Sequence, residues 1–147
     1  MKKDSVIILS KLLADISVLQ QKTLNYHWNV RGENFSEYHE LFGQQYKELS
    51  DEQDEIAERI RMMGEASPAS FTEFLELSDI KEEAGGFIEY RDMISNLLAD
   101  HNQIIKVCHE GLSSLEGSSD EGTKDLITVI LRAHEKVSWI LASSLGI

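Results

Sequence analysis

Apolar residues in this chain recur at steps of three, four and seven, and no window alternates cleanly with a period of two. Such a chain can bury one stripe of each helix but has no pattern that would cover a sheet. The stripe is clearest in the middle, where Phe35, Tyr38, Phe42, Tyr46, Leu49, Ile56, Ile60 and Met63 keep to one side over about eight turns. Leu9, Leu12, Leu13, Ile16, Leu19, Tyr26 and Val30 mark a first helix of similar length. Phe87, Tyr90, Ile94, Leu97, His101, Ile104, Cys108, Leu112 and Leu115 mark a third, and Leu126, Ile130, Ala133, Val137, Ile140 and Leu141 a fourth. The expectation is an all-α chain: a four-helix bundle forming a single domain over residues 1–147, long enough to bury a real core.

The punctuation fits four helices. Gly32 ends the first, and Asn34 with Glu37 reads as the cap of the second. Gly64 and Pro68 close the second, since proline is excluded from helix interiors. Ser70 with Glu73 opens a short extra helix inside the long connection between the second and third. Gly85 and Gly86 mark the entry to the third and Gly117 its end, while Ser118 with Glu121 reads as the cap of the fourth. A long second connection lets helices two and three run parallel, as a bundle with one crossover requires.

The charge sets limits on partners. With 26 acidic and 14 basic residues the formal charge is −12, a field that repels nucleic acid and draws cations. Lys2 and Lys3 are followed at once by Asp4, so no basic tail offers the several phosphate contacts that DNA affinity needs. No signal-peptide pattern is present, because Lys11 and Asp15 interrupt the first apolar run, and no apolar stretch is long enough to cross a bilayer. The lone Cys108 fits a reducing cytoplasm, where the protein is expected.

The chemistry concentrates in four residues. His27 and His39 are twelve apart, and Asp54 and Glu58 follow at a spacing of four. Imidazole with carboxylate suits iron or zinc. On one straight helix, however, His39 and Asp54 would lie roughly 22 Å apart, too far for one ion. At about 100° per residue, Asp54 falls roughly 60° and Glu58 roughly 100° around from His39, on the side away from the apolar stripe. The carboxylates therefore point out of their own bundle. A two-fold axis pairing second helices head to tail would set the histidine end of one chain against the carboxylate end of its mate, giving two equivalent sites. A di-iron centre within one bundle would use Glu-x-x-His pairs. The residues three before the five histidines are Leu24, Ser36, Leu98, Lys106 and Leu131, so that arrangement is not expected.

The stretch from Leu24 to Arg59, with HWNVRGENF, the second histidine and DEIAER, resembles the Dps family of mini-ferritins. The resemblance covers nearly the whole chain. It implies a ferritin-like fold, a hollow dodecamer, Fe²⁺ oxidation at dimer interfaces with hydrogen peroxide preferred over dioxygen, and ferric mineral stored inside as protection against oxidative stress. By that resemblance His27 and His39 of one subunit hold a di-iron centre (Fe²⁺/Fe³⁺) with Asp54 and Glu58 of its mate. Trp28 matches a position close to the iron, where it would act as an electron donor or simply pack at a helix end. The alternative within the family is a non-catalytic shell, or a structural protein that protects or compacts DNA.

Gly43 departs from the pattern, because many relatives carry an acidic residue four positions after the second histidine. Its absence predicts a weak or water-completed second iron position, with Asp51 a conceivable helper. Asp120, Glu121 and Asp125, at the start of the fourth helix, are candidates for an acidic entry pore, although acidic residues also favour a helix N-terminus through its dipole. His101 reads as a hydrogen-bonded core histidine, His109 and His134 as surface or interface residues, and Cys108 as a small buried apolar side chain.

Overall fold

The computed structural model describes residues 2–147, in which five helices and no strands form. They are α1 (Lys2–Asn29), α2 (Phe35–Met62), α3 (Phe71–Leu77), α4 (Tyr90–Ser114) and α5 (Glu121–Leu145). The four long helices pack as two pairs, α1 with α2 and α4 with α5, joined by contacts of α1 with α4. Their inner faces follow most of the stripes anticipated above, but Phe35 and Ala133 are exposed, and Met93 and Ile127 are buried beside the expected positions. Leu9, Leu12, Ile16 and Leu19 of α1, Phe42, Ile56 and Ile60 of α2, Met93, Ile94, Leu97 and Ile104 of α4, and Ile127 and Leu141 of α5 are fully enclosed. Each such side chain contributes about 1.5–3 kcal/mol by leaving water.

Cross-helix pairs give the directions. Lys22 meets Asp100 at 2.9 Å and the Tyr26 hydroxyl accepts from Asn96 at 3.0 Å, so α1 and α4 are antiparallel. Arg59 meets Asp120 while Glu52 meets His134, which makes α2 and α5 antiparallel too. With α4 antiparallel to α5, α2 and α4 run parallel, as the long crossover requires. That crossover is pinned to α1 by the buried Asp15, whose carboxylate accepts from the Ser78 hydroxyl at 2.7 Å and from the Asp79 amide at 2.9 Å. Ser70 and Glu73 form the reciprocal capping box of α3.

Three boundaries differ from the sequence reading. Asn34 adopts the left-handed conformation (φ 62°) and its side chain caps nothing, because the α1–α2 reversal takes it as a turn residue. Asp120, not Ser118, caps α5 by accepting from the Thr123 amide. Phe87 lies before α4, exposed, with the Arg31 guanidinium 4.0 Å above its ring. No helix among the described residues is long and apolar enough to cross a membrane.

Candidate metal centre

The site begins at the α1–α2 reversal. The Val30 amide donates to the Tyr26 carbonyl, and Gly32 (φ 104°) and Asn34 then turn the chain within a few residues. Gly32 permits this because a side chain rarely adopts that backbone conformation. The reversal lays the end of α1 along the start of α2 and brings His27 and His39 together.

The two imidazoles stack with centroids 3.9 Å apart and planes 14° apart. Each bonds to the other's backbone: His27 Nδ1 is 2.6 Å from the His39 carbonyl, and His39 Nδ1 is 2.6 Å from the His27 carbonyl. A carbonyl only accepts, so both Nδ1 atoms must carry the proton. In the neutral rings each Nε2 then keeps its lone pair, the state in which histidine binds a metal, and the opposite nitrogen is already held in the manner of a ligating histidine. Phe35 stacks on His39 at 5.1 Å, and Tyr46 tilts against His27 at 5.8 Å.

An imidazole lone pair lies in the plane of its ring. Two nearly parallel planes do not converge on one nearby ion.

Asp54 and Glu58 lie on the same unbroken α2 as His39, one turn apart and exposed. With roughly 22 Å of helix between His39 and Asp54, one subunit does not bring all four together. Among the described residues of a single chain, no group of three or more His, Cys, Asp or Glu side chains is placed to hold a metal ion. His39, with His27 of α1 stacked on it, sits near the start of α2, and Asp54 and Glu58 sit toward its other end.

Trp28 follows His27 and is 62% exposed. It lines a groove of about 470 Å³ between α1, α3 and the crossover, together with Val18, Phe71, Phe74 and Leu75. Phe71 is 80% exposed. Several large apolar side chains uncovered beside the histidines are unusual for a surface that meets only water.

Of the pore candidates, Asp120 is engaged inside the subunit. It accepts from Ser5 at 2.7 Å and from Arg59 at 2.6 Å as well as from Thr123. Burial alone would raise its pKa, but these bonds bring it down to about 2. Glu121 and Asp125 are exposed at the start of α5, with Glu121 paired to Lys124. Asp51 is also exposed on α2.

His101 is a buried core histidine, as expected, and burial pushes the Cys108 thiol up to about 12, which leaves it inert. His134 corrects the sequence reading: it is 1% exposed, with Nδ1 2.8 Å from His101 Nδ1 and Nε2 2.8 Å from Glu52. Sequence periodicity could not find this cluster because its acidic member lies 82 residues away. Arg59, held between Asp120, Thr123 and the backbone at Gly122, was equally hidden. The signal available for it was a glycine in the first turn of α5.

Comparison with known proteins gives one answer throughout. The ferritin-like domain family matches residues 8–146. The DNA protection during starvation protein 2 of Bacillus anthracis is 37% identical over 146 residues, covering 99% of this chain and 99% of that protein. Dps from Staphylococcus aureus superposes with a TM-score of 0.94 at 31% identity, covering 99% of this chain and 97% of that one. The Dps protein of Vibrio cholerae O1, described as a member of a broad superfamily of ferritin-like diiron-carboxylate proteins, superposes with a TM-score of 0.93 at 30% identity, covering 98% and 90%. The chain belongs to the Dps family of ferritin-like proteins.

Proposed function

We propose that this Dps-family chain oxidises Fe²⁺ at sites shared by two subunits and stores the ferric product as mineral inside a hollow dodecamer, limiting oxidative damage. The observation that carries this reading is the mutual lock of His27 and His39, which leaves two bare Nε2 atoms on one subunit and, among the described residues, no carboxylate placed to complete a metal site with them. Asp54 and Glu58 of the partner subunit complete the set through a two-fold axis, and both are exposed for that purpose. The apolar groove beside the histidines supports the same association, since a second copy would cover Trp28, Phe71 and Leu75.

The chemistry needs the metals in pairs. Iron is the substrate: two Fe²⁺ give up one electron each, and one hydrogen peroxide with two protons becomes two waters. The O–O bond breaks with both electrons supplied, so no hydroxyl radical is released. A mixed imidazole and carboxylate set holds Fe²⁺ while leaving open positions for the oxidant. Trp28, adjacent to His27, would absorb a stray oxidising equivalent. Glu121 and Asp125 would line the route by which Fe²⁺ enters, where negative potential concentrates cations. At −12 per subunit the field works against DNA binding unless a divalent cation bridges the two.

A second reading, a shell of this family without oxidation, is favoured by one feature: Gly43 supplies no carboxylate to the second position. Counting iron oxidised and peroxide consumed, with peroxide and air in parallel on the apo-protein, separates the two. The ferroxidase reading expects one peroxide per two irons and a peroxide rate well above that in air. Oxidation no faster than in protein-free buffer would leave the non-catalytic shell.

A further inference from the structure

Gly43 sits in the middle of a 28-residue helix, where glycine is among the least favourable choices. Its φ is not in the left-handed region, so the backbone does not demand it. The neighbouring side chain does. A Cβ built at position 43 would stand 2.8 Å from His27 Cε1 and 3.0 Å from His27 Nδ1. The nearest contacts fall on the ring that makes the lock with His39, and any withdrawal of that ring lengthens its 2.6 Å bond to the His39 carbonyl or disturbs its 3.9 Å stack.

We propose that Gly43 is a positioning residue, the seat on which His27 rests so that both imidazoles of the half-site hold Nδ1 to a carbonyl and keep Nε2 bare. In this chain the space that an acidic side chain would fill is taken by His27 itself. Position 43 contributes placement where a carboxylate would have contributed a ligand. Each metal position accordingly receives one imidazole from the subunit that carries Gly43, and every carboxylate comes from the partner. The inference rests on the reading of His27, His39, Asp54 and Glu58 as metal ligands.

The test is Gly43→Ala in the full assembled protein, probed with Co²⁺. This ion accepts the same ligands, shows its coordination in its visible bands and is not oxidised under anaerobic titration. Alanine is the better helix residue, and disturbing the His27 hydrogen bond costs about as much as alanine gains, so the variant should unfold close to the parent's temperature. Its Co²⁺ affinity should nevertheless fall about 10-fold or more, the range seen when the partner that orients a ligating histidine is lost, and the bands should shift. A purely structural glycine would not separate the two readouts in this way. His27→Ala is the control. If the parent binds Co²⁺, His27→Ala abolishes binding and Gly43→Ala matches the parent in affinity and spectrum, the seat is overturned and the ligand set stands. If His27→Ala binds Co²⁺ like the parent, the ligand set fails and the seat with it.

Discussion

His101 and His134 are the clearest case of a residue-scale choice with a measurable consequence. Glu52 accepts from His134 Nε2–H, and with a neutral His134 ring its Nδ1 accepts from His101 Nδ1–H. That leaves His101 Nε2 buried without a hydrogen-bond partner among the described residues. Burial of the ring, and secondarily the neighbouring His134, hold the pKa of His101 well below its ordinary value. As pH falls below about 6.5, the unfolded chain takes up a proton at this ring and the folded chain does not. Stability is therefore full above that pH and is lost as pH drops toward the depressed folded value. Urea unfolding at a series of pH values should show this decline. His101→Gln, which retains a donor but does not titrate, should flatten it; equal slopes in the two proteins would remove His101 from the account.

At the scale of elements, α2 is central because it carries three of the four candidate ligands, His39 near one end and Asp54 and Glu58 toward the other. Its pairing with α1 is extensive, whereas its contact with α5 is slight. Two polar clasps bridge that seam: Glu52 to His134, and Arg59 to Asp120 with Thr123. Arg59 lies next to Glu58, so the second clasp fixes the end of α2 that presents the carboxylates. Arg59→Ala should cost about 2 kcal/mol, the scale of hydrogen bonds to charged groups, read as a lowered unfolding midpoint. An unchanged midpoint would mean that the α2–α5 seam is held by packing alone.

The elements were legible in the sequence where a local rule decides them. Apolar period alone locates the four long helices, and Ser70 with Glu73 locates α3, because both signals act within a few residues. The ligand candidates were legible as well, since helix rise separates His39 from Asp54 whatever the packing. Signals that depend on distant partners were not. His134 looks like a surface residue until Glu52 comes to meet it, and Ser118 looks like a cap until Arg59 and Ser5 orient Asp120. Nor does the sequence show that the α1–α2 reversal lays the His27 ring against Gly43.

For the whole molecule, the proposed function makes one subunit half of a catalyst. His39, with His27 of α1 beside it, lies near one end of α2 and the two carboxylates lie toward the other, so on that proposal activity arises between chains. Two inactive variants should therefore repair each other. A His27→Ala/His39→Ala subunit still offers Asp54 and Glu58, and an Asp54→Asn/Glu58→Gln subunit still offers both histidines. In a mixed two-fold pair one site lacks both halves, and the other is complete.

The most direct measurement is peroxide-driven Fe²⁺ oxidation by shells assembled from an equal mixture of these two variants, beside shells of each alone. The expected result is no activity above buffer for either alone and about a quarter of the parent rate for the mixture, since half of randomly paired dimers are mixed and each restores one site of two. A mixture as inactive as its components, with assembly intact, would contradict the shared site.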